Sequence, residues 1–370
     1  MVHADWRWLY GGITLAVVLL GGCRKEHQRP TDALSGEQRK LSSVISAKQD
    51  SAPATLTLSR ELGNIIAEEP AGDSSGTLLA AFNEKLDSAV LLLSSKLFME
   101  TDSRRIISAI SDIIFTTWGI TFSENRDDLR YLYPHLVLAE KKGSCVGMSL
   151  LYLLIAEKAE LPLYGVRAPG HMFVRFDNGR ERCNIETLRG GEVMDNAWYR
   201  QRWAIKDTLL YPLDNLPVSG VLALVKYNLG TVFMNTGNYA RAKTSFEQAT
   251  RMLSDFAEAQ GNLALTLEAL GDSTGALEML SALHERHPTL EHIDKNLASL
   301  ELKCGRYADA LTTYTELSFR NPQDPAVHYG RAFALFQQNR PGDCRDALSK
   351  TLALDPRHTG ALKLMRELEN

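Results

Sequence analysis

Three side chains between positions 143 and 187 have the types that thiol-based chemistry requires. Cys145 stands at the start of an apolar stretch, His171 opens a segment typical of a strand, and Glu186 lies in the segment that follows. A thiolate can attack a carbonyl carbon, an imidazole can carry the proton, and a carboxylate can orient the imidazole and stabilise its cation. These residues therefore form a candidate Cys-His-acid triad, although a single cysteine at a helix start is more often a small buried residue.

The residues around Cys145 favour a helix that would activate its thiol. Ser144 is a good N-cap, so Cys145 is predicted to be the first residue of a helix that runs to about Ala159. The positive end of the helix dipole favours the thiolate form of a cysteine at that position. We expect backbone N–H groups at the helix start to stabilise an oxyanion. Gly143 and Gly147 are expected to leave room for a substrate backbone.

A hairpin downstream is predicted to bring the histidine and the acid together. Residues 172–176 and 181–185 are typical of strands, and Asn178-Gly179 is a preferred sequence for a two-residue hairpin turn. A two-residue turn would place His171 directly opposite Glu186, with both side chains on one face of the hairpin.

The predicted pairing also assigns the other side chains of the hairpin. Asn184 lies on the same face as Glu186 and is the alternative third member of the triad. Arg175 faces Arg182, and this unfavourable pair of like charges leaves room for a different register. A slip of one residue would turn Glu186 away from His171. The opposite face is apolar and consists of Met172, Val174, Cys183 and Ile185.

Three motifs in this region resemble the transglutaminase-like superfamily. They are Gly-Ser-Cys-Val-Gly-Met-Ser at 143–149, Tyr-Gly-Val-Arg-Ala-Pro-Gly-His-Met-Phe-Val-Arg at 164–175 and Asn-Ile-Glu-Thr-Leu-Arg-Gly-Gly at 184–191. The resemblance is to the bacterial branch of the superfamily, in which such a core precedes tetratricopeptide repeats. It covers roughly residues 60–215 and implies an α+β papain-like core.

The same resemblance implies roles for the triad residues. Cys145 would be the nucleophile and His171 the general base. Glu186 would take the acidic position, where the superfamily more often has Asp, and Asn184 is the substitute. Some members of this branch lack the cysteine, whereas this chain keeps it. The chain is therefore expected to be an enzyme, a transglutaminase-like cysteine acyltransferase or peptidase.

The sequence from residue 222 onward repeats with a period of 34 residues. Small residues, a glycine or asparagine, and prolines recur at fixed positions, which is typical of tetratricopeptide repeats. The recurring residues are Gly230, Ala264, Ala298 and Ala332; Gly237, Gly271, Gly305 and Asn339; Ala242, Ala276, Ala310 and Cys344; and Pro288, Pro322 and Pro356. We predict four repeats and a capping helix over 222–370, an all-α solenoid whose concave groove binds a peptide or protein partner.

The N-terminal part is predicted to be a lipoprotein signal peptide followed by a tether. Residues 1–22 contain an apolar run too short to span a bilayer, and Gly21-Gly22 stands directly before Cys23. This resembles a bacterial lipobox, whose cysteine is lipidated; the alternative is an ordinary signal peptide or an uncleaved anchor. Residues 23–55 have the polar composition of a tether. By the same resemblance, Arg24 favours a lipid-anchored protein of the cell envelope, at the outer membrane and facing the periplasm.

Residues 56–215 are predicted to form the transglutaminase-like domain, beginning with a helical part up to about residue 140. Apolar residues recur there at three- and four-residue steps, and Thr101-Asp102-Ser103 is a candidate cap.

Composition excludes some functional classes. A formal net charge of −4 argues against a nucleic-acid binder. The five cysteines form no CxxC pair, and no motif calls for a metal or an organic cofactor. Cys304 and Cys344 fall at repeat positions where packing explains them.

Two functions follow from these observations. The first is membrane-tethered, cysteine-dependent acyl transfer or amide hydrolysis on a peptide or protein substrate, with the repeats recruiting a partner. The alternative is a non-catalytic envelope scaffold that uses the tetratricopeptide groove for protein–protein interaction.

Overall fold

The computed structural model describes residues 57–69, 71, 73, 75–97, 100–125, 128–205 and 210–369. The predicted signal peptide, Cys23 and the tether lie outside these residues. Among the helices of the described ranges, none is both long and apolar enough to cross a membrane.

The described chain begins with helices that surround the later core. They are α1 (Leu58–Glu68), α2 (Thr77–Lys96), α3 (Ser103–Ser111) and α4 (Pro134–Glu140), with a π-helical segment at Asp112–Thr117. Asp102 caps α3, because its carboxylate accepts hydrogen bonds from the N–H groups of Arg104 and Arg105. The predicted helical character of this part is therefore observed, and so is the predicted cap.

The strands of the described core form two sheets. β1 (Thr121–Phe122) and β2 (Lys142–Gly143) pair in parallel just before Ser144. The larger sheet is antiparallel in the order β3-β4-β5-β6. Its strands are β3 (Leu163–Ala168), β4 (His171–Asp177), β5 (Arg182–Glu186) and β6 (Glu192–Met194), and β6 leads into helix α6 (Asn196–Arg202). This arrangement is the expected α+β core.

Helix α5 (Cys145–Lys158) is the centre of the core. Every residue from Cys145 to Ala156 is buried, because the helix contacts β3 and β4 as well as α1, α2 and α4. The hydroxyl oxygen of Ser144 accepts a hydrogen bond from the Gly147 N–H at 3.2 Å. The predicted helix start and cap are therefore confirmed, and the helix ends where expected, with Ala159 as its C-cap.

The β4–β5 hairpin has a register that differs from the predicted one by two residues. Arg175 pairs with Asn184 and not with Arg182. The loop between the paired residues therefore contains four residues, 178–181, instead of two. Because side chains alternate along a strand, a shift of two residues keeps each side chain on its predicted face.

Charge pairing and hydrogen bonds within the loop explain this register. Arg182 pairs with Asp177 instead of facing Arg175, and its Nε lies 2.8 Å from the Asp177 carboxylate. Inside the loop, the Asn178 Oδ1 accepts hydrogen bonds from the N–H groups two and three residues later, at 3.0 and 2.9 Å. The observed register therefore replaces an unfavourable pair of arginines by an ion pair.

Residues 218–369 form four helix pairs and a final helix. The pairs are α7 (Val218–Asn235) with α8 (Tyr239–Met252), α9 (Ala257–Ala269) with α10 (Ser273–Arg286), α11 (Glu291–Lys303) with α12 (Tyr307–Arg320) and α13 (Pro325–Gln337) with α14 (Pro341–Leu354), followed by α15 (Thr359–Glu369). The turn inside each pair has a residue with positive φ, which Gly and Asn adopt most easily. These residues are Gly237, Gly271, Gly305 and Asn339.

The recurring small residues lie where two helices of the solenoid meet. A Cβ added to Gly230 would lie 2.6 Å from the ring of Phe246 on the next helix. The recurring small residues on the second helix of each pair are fully buried; they are Ala242, Ala276, Ala310 and Cys344. The 34-residue pattern of small residues therefore arises because paired helices approach closely at these positions.

The first repeats contact the core directly. The Leu216 N–H donates to the Gly165 carbonyl of β3 at 2.8 Å. Also on β3, Arg167 forms an ion pair of 2.9 Å with Glu258 on α9. The core and the repeats form one compact unit.

Candidate active site

The structure brings Cys145, His171 and Glu186 together where α5, β4 and β5 meet. Cys145 is the first residue of its helix, His171 the first residue of its strand, and Glu186 the last residue of β5. The His171 Nε2 lies 2.9 Å from the Glu186 Oε2. The exposed fractions of the three residues are 8, 5 and 1%. The three candidates predicted from the sequence are therefore neighbours in a buried site.

Glu186 reaches His171 diagonally, and the predicted placement directly opposite it is wrong. The observed register, continued one step beyond Val174 and Ile185, sets Phe173 opposite Glu186. Glu186 is therefore displaced by two residues along the same face. A diagonal neighbour is farther away than a direct one but within reach of a long side chain. This distance gives a physical reason for the longer acid at this position.

Both oxygens of the Glu186 carboxylate have partners. Oε2 lies at His171, and Oε1 accepts a hydrogen bond from the Leu188 N–H at 2.9 Å, inside the 3-10 turn Thr187–Arg189. Tyr199 lies close to the same carboxylate. Burial raises the pKa of its hydroxyl far above the usual range, and the neighbouring Glu186 raises it further. A carboxylate held in this way can fix the tautomer and the orientation of the imidazole.

The charge state of His171 depends on three opposing influences. Burial lowers the pKa of its ring, whereas Cys145 and the Glu186 carboxylate raise it, and the resulting pKa is about 8. The imidazole is therefore mainly protonated at neutral pH. Because Glu186 occupies Nε2, Nδ1 is the ring nitrogen left for the thiol. A protonated imidazole beside a cysteine favours the thiolate.

Asn184, the alternative third residue, is not brought to His171. Its Oδ1 accepts a hydrogen bond from the Arg175 Nε at 2.7 Å, and its Nδ2 donates to the Asn196 Oδ1 at 2.9 Å. The side-chain amide is therefore engaged elsewhere, and the position beside the imidazole belongs to Glu186.

Arg175 is a buried charge whose role the sequence did not indicate. Its side chain donates from Nη1 to the Leu213 carbonyl at 2.7 Å and to the Asn215 Oδ1 at 3.2 Å, and from Nη2 to the Asn196 Oδ1 at 2.9 Å. The residue is only 2% exposed, and burial lowers the pKa of its guanidinium. These bonds connect β4 to the start of α6 and to the segment before α7.

A stack of aromatic rings covers the imidazole. The Trp203 ring lies parallel to the His171 ring, with centroids 4.2 Å apart and planes 7° apart. Tyr199 stacks on Trp203 at 5.5 Å and on Phe173 at 3.7 Å. These rings were missed in the sequence analysis, although the concentration of aromatic residues in 198–203, just after the third motif, is a signal that could have indicated them.

The glycines at the start of α5 serve close packing of the chain on itself, and the predicted room for a substrate backbone is wrong. A Cβ added to Gly147 would lie 2.3 Å from the Tyr131 carbonyl oxygen, and one added to Gly143 would lie 2.8 Å from Met148. The Gly147 N–H donates to the Ser144 hydroxyl and is not available to bind an oxyanion.

The other cysteines of the described chain are unpaired. Cys183 is half-buried, with its sulfur 3.5 Å from the Ser103 Oγ, and Cys344 is fully buried, as its repeat position predicts. Cys304 is exposed at the end of α11, so the expectation that packing explains it is wrong. Within the described ranges, no cluster of His, Cys, Asp or Glu could hold a metal ion.

Comparison with curated proteins finds partial relatives. A protein of Xylella fastidiosa (strain Temecula1) named "UPF0162 protein" is 25% identical over 199 residues, which are 51% of this chain and 70% of the relative. F-box only protein 21 of Mus musculus is 31% identical over 96 residues, which are 25% of this chain and 15% of that protein.

Comparison with solved structures finds tetratricopeptide repeat proteins. The structure of YrrB, described as a TPR protein with an unusual peptide-binding site, is 20% identical, covers 39% of this chain and 74% of its own, and has a TM-score of 0.37. A tetratricopeptide repeat protein from Parabacteroides merdae is 22% identical, covers 40% of this chain and 60% of its own, and has a TM-score of 0.39.

Family profiles match both halves of the described chain. Residues 80–212 match the transglutaminase-like superfamily. Residues 227–290 and 295–359 match the tetratricopeptide repeat. The protein therefore carries a transglutaminase-like domain followed by tetratricopeptide repeats.

Proposed function

We propose that the protein is a cysteine-dependent enzyme that acts on amide groups of a peptide or protein, by acyl transfer or by hydrolysis. The observation that carries this proposal is the position of His171, which has Glu186 2.9 Å from Nε2 and a pKa that Cys145 raises together with Glu186. This arrangement favours a thiolate–imidazolium pair at neutral pH. The repeats would recruit the substrate or a partner protein.

The proposed reaction has two steps. The Cys145 thiolate attacks the amide carbonyl carbon, a carbon–sulfur bond forms, and the start of α5 stabilises the oxyanion. As the carbon–nitrogen bond breaks, His171 gives its proton to the leaving amine and a thioester remains. Water or a second amine then attacks the thioester and gives a proton to His171, and the thiolate leaves. Glu186 holds the imidazole in both steps.

Alkylation of Cys145 by iodoacetamide tests this proposal. The full chain with Cys23→Ser would be labelled across pH, and peptide mass spectrometry would resolve each cysteine. The exposed Cys304 is an internal reference for an ordinary thiol. We expect Cys145, although only 8% exposed, to react faster than Cys304 at about pH 6 to 7, where an ordinary thiol is protonated.

The controls separate activation from access. His171→Gln should lower the rate of Cys145 alkylation roughly tenfold or more, and Glu186→Gln should lower it less, because the imidazole remains. Alkylation of Cys145 no faster than that of Cys304 at all these pH values, together with normal labelling of the urea-unfolded chain, would overturn the proposal. A rate unchanged by His171→Gln would do the same.

A second candidate function is that of a non-catalytic interaction protein. The observation that favours it is the burial of the site, since His171 and Glu186 are 5 and 1% exposed while four helix pairs offer a separate binding surface. If the protein has this function, partner binding by the repeats should be unchanged in Cys145→Ser. In the parent chain, Cys145 should then react as an ordinary buried thiol. Activated alkylation of Cys145 would decide against it.

We also propose that Cys23 is lipidated and anchors the protein in the bacterial envelope, at the outer membrane and facing the periplasm. The support comes from Gly21-Gly22 directly before Cys23 and from the polar composition of residues 23–55. Cys23→Ser should move the protein out of the membrane fraction. Mass spectrometry of the N-terminal peptide would show the added lipid, and an unmodified Cys23 in the membrane fraction would contradict the proposal.

A further inference from the structure

The indole of Trp203 is the nearest aromatic neighbour of the imidazole in the stack at the site. The two rings are stacked and nearly parallel, with centroids 4.2 Å apart and an angle of 7° between their planes. The rings of Phe173 and Tyr199 are each 6.4 Å from His171. An aromatic face at this distance attracts a cation, and indole does so most strongly. Trp203 therefore favours the charged form of the ring that the thiol also requires.

The position of Trp203 is fixed by the end of helix α6. Its N–H donates to the Tyr199 carbonyl at 3.0 Å, which makes Trp203 the C-cap. The next residue, Ala204, has a φ of 47°, and the Ile205 N–H returns to the Arg200 carbonyl at 2.9 Å. The left-handed region is unfavourable for a residue other than glycine, so the end of the helix at this residue is specified at a cost in stability.

The start of the same helix is tied to the catalytic strand. The Asn196 Oδ1 accepts hydrogen bonds from both Arg175 and Asn184, at 2.9 Å each. Asp195 caps the helix by accepting from the Trp198 N–H at 2.7 Å. Helix α6 is thus attached to β4 and β5 at one end and places an indole on His171 at the other.

We propose that Trp203 is a positioning residue of the thiol site, which fixes the plane of the His171 ring and stabilises its imidazolium form by a cation–π contact. This inference rests on the proposed function, because it assigns Trp203 a role in activating Cys145. The stacked plane keeps Nε2 directed at Glu186 and leaves Nδ1 for the thiol.

Other charged or titratable groups act on the Trp203 ring or on the His171 ring. Arg202 has its guanidinium carbon 5.4 Å from the centroid of the Trp203 ring, so it competes with His171 for the indole, although it is exposed and screened by water. The groups that act on His171 from the elements packed against it are Cys145 on α5 and Glu186 on β5, and the Tyr199 ring on α6 stacks at 6.4 Å. A test must therefore change the indole while leaving these groups in place.

The variants Trp203→Phe and Trp203→Leu form a matched pair for that test. Both replace the indole by a smaller apolar side chain, but only Phe keeps an aromatic face. Histidine-selective NMR of the full chain with Cys23→Ser would follow the titration of His171, whose signal is assigned by its loss in His171→Gln. We expect the midpoint in Trp203→Leu to fall below that in Trp203→Phe by up to about one pH unit.

The thiol provides the second measurement. Alkylation of Cys145 at about pH 6.5 should be several-fold slower in Trp203→Leu than in Trp203→Phe, with equal melting temperatures in the two variants. Trp198→Leu is a further control, because Trp198 meets Trp203 edge-on at 5.5 Å and is not stacked on His171. It should lower the His171 midpoint less than Trp203→Leu does.

The outcomes separate this inference from the proposed function. Equal His171 midpoints in Trp203→Phe and Trp203→Leu, with an activated Cys145 in the parent chain, would overturn the role of Trp203 and leave the proposed function standing. A midpoint that depends on the aromatic face, with a Cys145 that reacts like Cys304, would overturn the proposed function instead.

Discussion

The raised pKa of the His171 ring, to which Cys145 and Glu186 contribute, determines how this residue makes stability depend on pH. A pKa of about 8 in the folded protein lies above the usual value of 6.5, so the folded state binds this proton more tightly than the unfolded state. The resulting stabilisation is complete below about pH 6.5 and is lost as the pH rises through 8.

By itself, this proton would make the free energy of unfolding fall by roughly 1.5 kcal/mol between pH 6.5 and pH 8.5. A Cys145 thiolate releases a proton on folding, and this release offsets the proton that His171 gains. We therefore predict that the thiolate–imidazolium pair abolishes this fall in the parent chain, which urea denaturation across the range would measure. A fall of roughly 1.5 kcal/mol would contradict the pair.

Arg175 is predicted to hold the site together through its hydrogen bonds. Arg175→Met would leave the buried Asn184 oxygen and the buried Leu213 carbonyl without this donor, and we expect it to lower the free energy of unfolding by roughly 3 kcal/mol or more. Arg182→Met on the paired strand is the control, because the Arg182 side chain is mostly exposed and Asp177 keeps its hydrogen bonds from Gly179 and Asn215, so we expect a loss of about 1 kcal/mol or less. Equal losses in urea denaturation would contradict this role.

At the scale of the element, the start of helix α5 depends on a close approach that no side chain permits. We predict that Gly147→Ala lowers the free energy of unfolding by roughly 1–3 kcal/mol, since its Cβ would lie 2.3 Å from the Tyr131 carbonyl oxygen. Thermal and urea denaturation would measure this change.

Gly63 inside helix α1 provides the matched control. Nothing lies within 4 Å of a Cβ added there, so Gly63→Ala should raise stability by roughly 0.5–1 kcal/mol through helix propensity. Opposite signs for Gly63→Ala and Gly147→Ala are the expected result. Stabilisation by both would show that Tyr131 moves aside.

The elements also show which features a sequence can predict. The start of α5 depends on Ser144, whose hydroxyl bonds an N–H three residues away, and such local signals were sufficient. The hairpin register was off by two residues, because the Asp177–Arg182 ion pair and the hydrogen bonds of Asn178 outweigh the two-residue turn. Periodicity of two still placed every side chain on its correct face.

The features that the sequence did not predict depend on contacts between distant segments. The partners of Arg175 include Asn196 and Asn215, 21 and 40 residues later in the chain. The stacking of Trp203 on His171 likewise requires α6 to fold back over β4. No local propensity specifies such contacts. The 34-residue repeat could be identified because each repeat contacts chiefly its neighbours, so the same contacts require the same residues at each repeat.

At the scale of the whole molecule, one apolar cluster runs from the core into the third helix pair, and a few partly buried charges reinforce this junction. Arg167 on β3 binds Glu258 on α9 at 2.9 Å and donates to the Leu210 carbonyl at 2.9 Å. Its guanidinium also lies over the rings of Tyr211 and Phe256, at 4.8 and 5.0 Å. Arg167 is adjacent in register to the pair formed by Ala168 and His171, so this junction borders the strand that carries His171.

We predict that Arg167→Met weakens the junction between the core and the second helix pair without separating them, since the shared apolar cluster remains. Methionine keeps the apolar stem but leaves Glu258 without its cation, at a cost of roughly 2 kcal/mol or more. Because a solenoid transmits stability between neighbours, hydrogen exchange should accelerate in α9 and α10 and remain unchanged in α14. Arg306→Met is the control, since it removes an exposed ion pair with Asp309 inside one repeat and should change exchange little. Uniform acceleration along the solenoid would show instead that core and repeats unfold as one cooperative unit.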